Sequence, residues 1–356
     1  MLLHDQLKIL QSVRDDPAVT VLWTVPPNGG AAPVDLLLDE VAERLRLEVD
    51  AKEVEERLDD LRRLAAETAE ERGQRAVALF ASRSHRAASR LPEPVRDRVV
   101  IDETFATRDL VRALHRSPEY LVLVLAEPFT RLYEGRGRIL REVDGGGFPY
   151  EVQATTHAGR ERRHDPGAAR DRHLDELTHD LDRVPALSGT RLGALPVFVV
   201  AGPERLAKFT SRSRLGDRIA GRVTHSLGES PSPARLSHLV WPSVEDWMAA
   251  GRQLSLAEVD QAMGARRLAA GIDEVWPLAR EGRGRLVVVE EGFEYPAHLR
   301  HDGQALEHAD DPTLPGVVDD AVDEVIEYVL NHKGRAAFVP DGTLADRGRV
   351  VLTLRY

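Results

Sequence analysis

Arginine is concentrated in two stretches near the middle of the chain, and its guanidinium group pairs well with phosphates and stacks on bases. The first stretch, 155–173, mixes arginine with histidine, and the second follows Gly202-Pro203 at the start of a predicted helix, where unsatisfied N–H groups favour an anion. Both indicate a nucleic-acid contact, and the alternative for each is a solvated charged surface. The candidate RNA-binding residues are Arg160, Arg162, Arg163, Arg170, Arg172, Arg205, Lys208, Arg212 and Arg214.

Two other kinds of chemistry have less support. Asp175, His179 and Asp182 share one helical face at i, i+4 and i+7, but acid–histidine pairs on a helix surface are usually solvated. We therefore expect no metal and no other cofactor. A nuclease would need carboxylates that converge at strand ends, and the available ones follow no recognised arrangement. They are Asp102, Glu127 and Glu134.

Composition limits the class of protein. The chain has 356 residues, 42% of them hydrophobic and 30% charged, and it contains no cysteine. The absence of cysteine excludes disulfides and thiolate chemistry and fits a reducing cytoplasm. No apolar run approaches the length that crosses a membrane. We therefore expect a cytoplasmic protein without a membrane partner, and a monomer.

Charge is unevenly distributed along the chain, whose net charge is −11. Residues 290–327 hold twelve acidic residues against a single arginine, whereas 152–222 hold thirteen basic residues against nine acidic ones. The acidic stretch is expected to be a solvated face, with docking of a basic partner as the alternative. The basic region can contact RNA despite the overall charge, because attraction to phosphates acts over only about 8–10 Å at physiological salt.

Strand and helix patterns predict an α/β protein of three domains, at 1–97, 98–237 and 238–356. The proposed boundaries fall at Pro92-Glu93-Pro94 and at Ser230-Pro231-Ser232-Pro233, which have the composition of linkers.

A few elements carry this division. Residues 121–125 are apolar on both faces, as expected of an interior strand, and 196–201 and 349–355 also predict strands. Residues 34–70 predict one long helix and 265–270 a short one. Gly135-Arg136-Gly137 predicts a hairpin turn rather than a phosphate cradle, because no helix follows it. The charges of the long helix are expected to be solvated; they are Glu53, Glu56, Arg57, Asp60 and Arg63.

The order of four motifs resembles the archaeo-eukaryotic class-one release factors and Pelota, and more closely the bacterial archaeo-eukaryotic release factor family. The resemblance covers 98–356 and is weaker over 1–97. It rests on paired strands with a glycine-bounded basic turn, a strand followed by an Ala-Gly-Pro turn and a helix, an alanine-rich stretch before a Gly-Ile-Asp turn, and a closing strand. These motifs are YLVLVLAEPFTRLYEGRGRILREV (120–143), FVVAGPERLAKF (198–209), VDQAMGARRLAAGIDEVWPL (259–278) and VVLTLRY (350–356).

The resemblance implies a divergent N-terminal α/β domain, an RNase-H-like middle domain and a C-terminal α/β sandwich like that of kink-turn-binding ribosomal proteins. It also implies the ribosome, with its rRNA and tRNA, as partner. A translational GTPase or a ribosomal protein is the further partner expected at the C-terminal domain.

One departure from the family pattern bears on catalysis. Hydrolytic members carry Gly-Gly-Gln after the third strand, whereas this chain reads GGGFPYEVQATTHAGRERRHDPG over 145–167. We therefore predict a non-catalytic factor that binds ribosomes or peptidyl-tRNA in translation rescue, quality control or dormancy, with no catalytic residue. The alternatives are a peptidyl-tRNA hydrolase or nuclease that uses a substitute such as Gln153 or a histidine of this loop, and a protein–protein adaptor on a reused release-factor scaffold.

Overall fold

The computed structural model describes residues 3–26, 34–69, 75–126, 129–151, 192–225, 232–300, 303–312, 314 and 316–356. The chain forms two compact units. One unit combines Met1–Arg116 with Arg252–Tyr356, and the other is Ser117–Gly251. The expected α/β class is confirmed, because the described residues form a mixed α/β structure with several sheets.

The first part of the chain builds an antiparallel sheet with helices on both faces. Its strands pair in the order β3-β2-β1-β4. Alternate residues of β1 point to opposite cores, since Val19 and Val21 pack with the second and third helices while Ala18 and Leu22 pack with the first and fourth. The helices are α1 (Leu3–Ser12), α2 (Val34–Leu45), α3 (Ala51–Ala69) and α4 (Arg108–Arg116), and the strands β1 (Ala18–Thr24), β2 (Ala76–Ala81), β3 (Arg86–Leu91) and β4 (Arg98–Asp102).

Two details here differ from the sequence expectations. Strand β4, expected to open the middle domain, pairs antiparallel with β1 from Ala18↔Asp102 onwards. The helix expected over 34–70 is two helices, because Asp50 accepts a hydrogen bond from Glu53 N at 2.9 Å and so caps the start of α3. The division at 97/98 and 237/238 stays a prediction.

The middle unit is built on a mixed sheet in the order β10-β9-β5-β6-β7, with β8 on β6. Three antiparallel strands are followed by two strands parallel to the first. Its elements are β5 (Glu119–Leu125), β6 (Phe129–Arg136), β7 (Ile139–Glu142), β8 (Tyr150–Glu151), β9 (Val197–Ala201), α5 (Pro203–Arg212), β10 (Ile219–Thr224) and the first part of α6 (Pro233–Gly264), whose residues from Arg252 onwards belong to the other unit.

The last part of the chain is an α/β sandwich around the sheet β11-β17-β12-β16. One face packs on Val259 of α6, and the other on the two helices that follow. A small sheet in the order β14-β13-β15 lies beside it. The elements are β11 (Leu268–Ala270), α7 (Ile272–Arg280), β12 (Gly284–Glu290), β13 (Ala297–Arg300), β14 (Ala305–His308), β15 (Val317–Val318), α8 (Ala321–Asn331), β16 (Arg335–Val339) and β17 (Val350–Leu354).

The short helix expected over 265–270 was wrong. Residues Leu268–Ala270 form strand β11, which pairs antiparallel with β17 from Leu268↔Thr353 to Ala270↔Val351. The segment has alanine and leucine, which favour a helix, but pairing at the sheet edge decides its conformation.

A single hydrophobic core joins the first and last parts of the chain. Phe105 and Leu110, near α4, belong to the same buried cluster as Trp276, Val325 and Ile326. This shared core explains why Met1–Arg116 and Arg252–Tyr356 form one unit.

Candidate nucleic-acid interface

The second basic stretch begins at the edge of the middle sheet where the parallel strands end. Strands β5 and β9 run in register to Val124↔Val200, so both end at this edge, and α5 starts directly after β9. Leu125 lies opposite Thr130 on β6, and Thr130 in turn lies opposite Tyr150 on β8. The last described residues before 152–191 are therefore at the same edge as the start of α5.

Helix α5 presents basic side chains on one side. Gly202 is the N-cap, Pro203 occupies the first turn, and among the described residues no side chain caps the helix. Its N-terminal N–H groups therefore add positive character to this edge. At 100° per residue, the three basic positions of the helix fall within about 60° of each other. They are Arg205, Lys208 and Arg212.

The contacts divide the basic stretch into structural and surface groups. Arg205 Nη1 donates to Leu125 O at 3.3 Å and so links α5 to the end of β5. Lys208 Nζ donates to Glu204 Oε1 at 2.7 Å in an i,i+4 ion pair on the surface. Arg212 and the following Arg214 are exposed. The structure thus brings three candidates together on one helix and places the fourth just after its end.

A basic residue further along has a structural role. Arg218 Nη2 donates to Leu192 O at 3.1 Å and to Leu195 O at 3.3 Å, and burial lowers the pKa of its guanidinium group. Arg218 therefore fixes the first described residues after 152–191 at the start of β9.

Five of the predicted RNA-binding residues lie outside the described residues, as do Gln153 and the candidate metal ligands Asp175, His179 and Asp182. Glu127, named for a nuclease, also lies outside them. The five arginines are Arg160, Arg162, Arg163, Arg170 and Arg172.

The chain is firmly anchored just before this segment. Gly145 N donates to Phe148 O at 2.9 Å, and Phe148 N donates back to Gly145 O at 3.1 Å. All three glycines of 145–147 have positive φ, which a side chain disfavours, and Phe148 is buried with Leu121 and Leu123.

The glycine-bounded turn between β6 and β7 is a structural hairpin, as predicted. Gly137 has a φ of +53° and its carbonyl accepts a hydrogen bond from the Tyr120 hydroxyl at 2.8 Å. Burial raises the pKa of Tyr120 to about 12, so the hydroxyl keeps its proton and its donor role. A Cβ on Gly135 would lie 2.5 Å from the Tyr120 ring.

We expect Gly135→Ala to destabilise the protein by about 1–3 kcal/mol, because the added methyl group forces Tyr120 out of its buried position. Urea unfolding measures this loss. Gly251→Ala is the matched control, since nothing lies within 4 Å of its added Cβ and the residue lies inside a helix. That control should stabilise by up to about 1 kcal/mol. Equal effects of the two substitutions would contradict the steric argument.

Part of the acidic stretch is buried, whereas the sequence predicted a solvated face. Three of its other acidic residues are exposed as expected; they are Glu307, Asp310 and Asp311. Asp320, Asp323 and Glu327 are buried, and α4 with its preceding loop covers them. Arg108 Nη1 donates to Asp320 Oδ2 at 2.5 Å, and Arg98 Nη1 donates to Asp319 Oδ2 at 2.7 Å.

Asp323 and Glu327, and two more acidic side chains of this stretch, also bind residues of the same unit. Thr107 donates its N–H to Asp323 Oδ2 at 2.9 Å and its hydroxyl to Glu327 Oε1 at 3.0 Å. Arg96 and Arg116 pair with Glu294 and Glu291. The basic partner of these acidic residues is therefore the chain's own first part. A GTPase or ribosomal protein at the C-terminal domain stays a prediction and would need other surface.

The described residues show no metal centre. Among them, no group of three or more histidine, aspartate or glutamate side chains could hold a metal ion. Asp102, named for a nuclease, lies on β4 and faces α8, where burial and the charge of Glu324 raise its pKa to about 7. Within the described part of the chain, no helix is long and apolar enough to cross a bilayer.

The family resemblance is confirmed by comparison with known families. Residues 119–283 match the family described as bacterial archaeo-eukaryotic release factor family 3. This match takes in the whole middle sheet, α5, α6 and the start of the last sandwich. The match supports the resemblance to this family over 119–283.

Solved structures of low similarity align along most of the chain. A model of ribosome-bound archaeal Pelota and ABCE1 aligns at 13% identity, covering 100% of this chain and 94% of the Pelota chain, with a TM-score of 0.43. Dom34 of S. cerevisiae, described as interacting with Hbs1, aligns at 9% identity, covering 100% of this chain and 92% of the Dom34 chain, with a TM-score of 0.41. The archaeal termination factor aRF1 aligns at 15% identity over 99% and 97%, with a TM-score of 0.26. A comparison with curated proteins finds no match.

Proposed function

We propose that this protein binds ribosomes through RNA and acts in rescue, quality control or dormancy without hydrolysing peptidyl-tRNA. The observation that carries the proposal is the family match over 119–283, which contains both arginine-rich stretches. The proposal therefore concerns the RNA contacts of the middle unit, at the edge where α5 begins.

The chemistry of that edge suits phosphate. Helix α5 begins at this edge without a side-chain cap among the described residues, and it carries Lys208 and Arg212 on one side, with Arg214 just beyond its end. Arginine can bind a phosphate through two parallel hydrogen bonds, and a helix N-terminus adds a favourable dipole. Residues 160–172 contribute five more arginines to a segment whose start is anchored at the same edge.

The proposed role is to occupy the ribosome rather than to cleave peptidyl-tRNA. The chain has no Gly-Gly-Gln sequence, and the glycines of 145–147 lead instead to Phe148, which is buried in the core. The tight glycine turn that would present a glutamine is therefore replaced by an anchor for the following segment.

We expect the protein to co-sediment with 70S ribosomes at low salt, and binding to weaken with added salt because counterions are released from phosphates. Replacing Lys208, Arg212 and Arg214 together with glutamine should lower affinity and reduce the magnitude of the salt slope by about one unit for each lost phosphate contact. Glutamine substitution of the five arginines in 160–172 should do the same. Sedimentation through a sucrose cushion at several salt concentrations measures both effects.

Arg235→Gln is the matched control, because Arg235 is an exposed arginine of the same unit that lies on α6 rather than α5. It should leave the salt slope unchanged. Failure of the unaltered chain to co-sediment with vacant, stalled and stationary-phase ribosomes would refute the proposal. Release of labelled peptide from a stalled complex would instead identify a hydrolase.

A further inference from the structure

A charged cleft of about 410 Å³ lies in the first part of the chain, in the unit that does not contain α5. Helix α3 forms one wall, and the turn from β2 to β3 forms the other. Four arginines line it, two from each wall; they are Arg57, Arg63, Arg83 and Arg86.

The sequence predicted a solvated face here, but part of it is buried. Arg57 and Asp60, on the inner side of α3, are 4% and 8% exposed. Arg57 Nη1 donates to Ser82 O at 2.7 Å, which fixes its guanidinium group against the turn. The cleft therefore has a rigid, charged floor.

The arginines cover the carboxylates beneath them. Asp60 Oδ1 accepts hydrogen bonds from Arg63 Nη2 at 3.0 Å and from Arg86 Nη1 at 2.7 Å. The side chains of Arg63 and Arg86 are 66% and 54% exposed, whereas that of Asp60 is 10% exposed. Solvent entering the cleft thus meets guanidinium groups before it meets this carboxylate.

The third exposed arginine is held in the same way. Arg83 donates through Nε and Nη2 to the two carboxylate oxygens of Glu53, at 2.6 Å and 2.9 Å. Its guanidinium group is therefore fixed in position, so binding a ligand would cost little conformational entropy of this side chain. This bidentate pair also lowers the pKa of Glu53.

Cations exceed anions among the residues that line the cleft. The acidic lining residues are Glu56, Asp59 and Asp60. Asp60 is covered by the arginines, whereas Glu56 and Asp59 have cations of their own. Lys52 pairs with Glu56 at 3.6 Å and Arg62 pairs with Asp59 at 3.3 Å. Asp15 lies at one end, where it accepts a hydrogen bond from Ser84 N at 2.7 Å. The lining residues alone carry four positive and three negative charges.

We propose that this cleft binds a phosphate group. A guanidinium group carries five N–H donors, so four of them offer about twenty donors against roughly eight lone-pair positions on two carboxylates. No aromatic side chain lines the cleft among the described residues, so it holds the charged group of a ligand rather than a base. The phosphate can belong to a free anion or to the backbone of a single-stranded RNA.

Titration of the full-length chain with inorganic pyrophosphate at low salt tests the site without ribosomes. Arg63→Gln should weaken binding about tenfold, the effect of one lost charge-assisted hydrogen bond. Asp59→Asn removes a repulsive charge from the rim and should tighten binding about two- to fivefold. Arg46→Gln is the control, because Arg46 is an exposed arginine of the same unit that does not line the cleft.

A 12-nucleotide single-stranded RNA distinguishes the two sources. Displacement of pyrophosphate by the RNA, with a loss in Arg63→Gln, assigns the site to a nucleic-acid backbone, and pyrophosphate binding without displacement assigns it to a free anion. Circular dichroism of each variant verifies folding. No pyrophosphate binding by the unaltered chain, or equal affinity in Arg63→Gln and Arg46→Gln, overturns the inference. Neither result bears on ribosome binding by the middle unit.

Discussion

Replacing Arg108 with methionine is expected to lower the free energy of unfolding by about 3–5 kcal/mol, because the substitution leaves a buried carboxylate without its cation. The side chains of Arg108 and Asp320 are 4% and 2% exposed, and their charged atoms lie 2.5 Å apart. Arg108 also donates to Glu291 O at 3.2 Å. Urea unfolding at neutral pH, followed by tryptophan fluorescence, measures the loss.

The large effect follows from the burial of Asp320 rather than from the strength of the ion pair. Asp320 Oδ1 accepts hydrogen bonds from Val322 N at 3.0 Å, as the N-cap of α8, and from Tyr295 N at 2.9 Å. These bonds hold the carboxylate in place after Arg108 is lost. A second substitution, Asp320→Asn, should therefore recover much of the stability, since asparagine removes the charge and is also a good N-cap.

Arg96→Met is the control for this prediction. Arg96 pairs with Glu294 at 3.4 Å, but its side chain is 74% exposed, and exposed ion pairs contribute about 0–1 kcal/mol. If Arg108→Met cost no more than Arg96→Met, the buried pair would not be what joins α4 to α8.

The strands could be predicted from sequence where apolar residues are continuous. Residues 121–125 are all buried, and the strand they predict lies inside the middle sheet between β6 and β9. The turn at Gly135 and Gly137 could also be predicted, because glycine is needed where a ring approaches the backbone or where φ is positive. These features depend on residues close together in the sequence.

The polar contacts between distant segments could not be predicted. Helix α8 has an apolar side formed by Val322, Val325 and Ile326, but its acidic side is buried as well. Arg98 and Arg108 cover that side from more than 200 positions away in the chain. A local pattern shows that a helix is amphipathic and does not show what packs on its polar face.

The charged cleft was missed for the same reason. On α3, Arg57 and Asp60 have the spacing of a surface ion pair, and burial comes from the β2–β3 turn at Ser82. The pairing of β2 with β3 determines where that turn lies. The sequences of the two strands do not show that the turn packs against α3. For the nucleic-acid interface, the sequence predicted the basic residues of α5, while the placement of Leu125 and Tyr150 at the same edge required the sheet register.

The stability of the protein should fall as pH rises from about 4 through 7. Burial raises the pKa of five carboxyl groups around α4 and α8, and the repulsion between them adds to this effect. In Asp102 the pKa rises to about 7. The other four are Asp319, Asp323, Glu324 and Glu327.

The hydrogen bonding of these carboxyl groups also indicates that their pKa values are raised. Asp323 Oδ1 and Glu327 Oε2 are buried and have no hydrogen-bond partner among the described residues, so a proton on either group removes an unfavourable charge. The cations that face this acidic cluster are Arg14, Arg98, Arg108 and Arg112, and further acids, Asp109 and Asp320, share them. Carboxylates therefore outnumber arginines at the junction.

The direction of this pH dependence of stability follows from proton linkage. Unfolded aspartate and glutamate have pKa values near 4, so between pH 4 and the raised pKa values the folded state binds more protons than the unfolded state. The stabilisation is present in full below pH 4 and is lost as pH rises through the folded pKa values. For Asp102 alone, the rise of its pKa to about 7 corresponds to about 4 kcal/mol of folding free energy that is lost at high pH. Carboxyl groups with lowered pKa, such as Glu290, act in the opposite direction only as pH falls below about 4.

Asp102→Asn separates this effect from general acid sensitivity. The asparagine carries no titrating proton, so the variant should match the unaltered chain near pH 4 and exceed its stability at pH 8, with a flatter curve between. Asp97→Asn is the control, because Asp97 is exposed and lies outside the acidic cluster. Urea unfolding across this pH range measures both. A stability that rises from pH 4 to pH 8 in the unaltered chain would show that these carboxyl groups are ionised in the folded state, and that the arginines outweigh their burial.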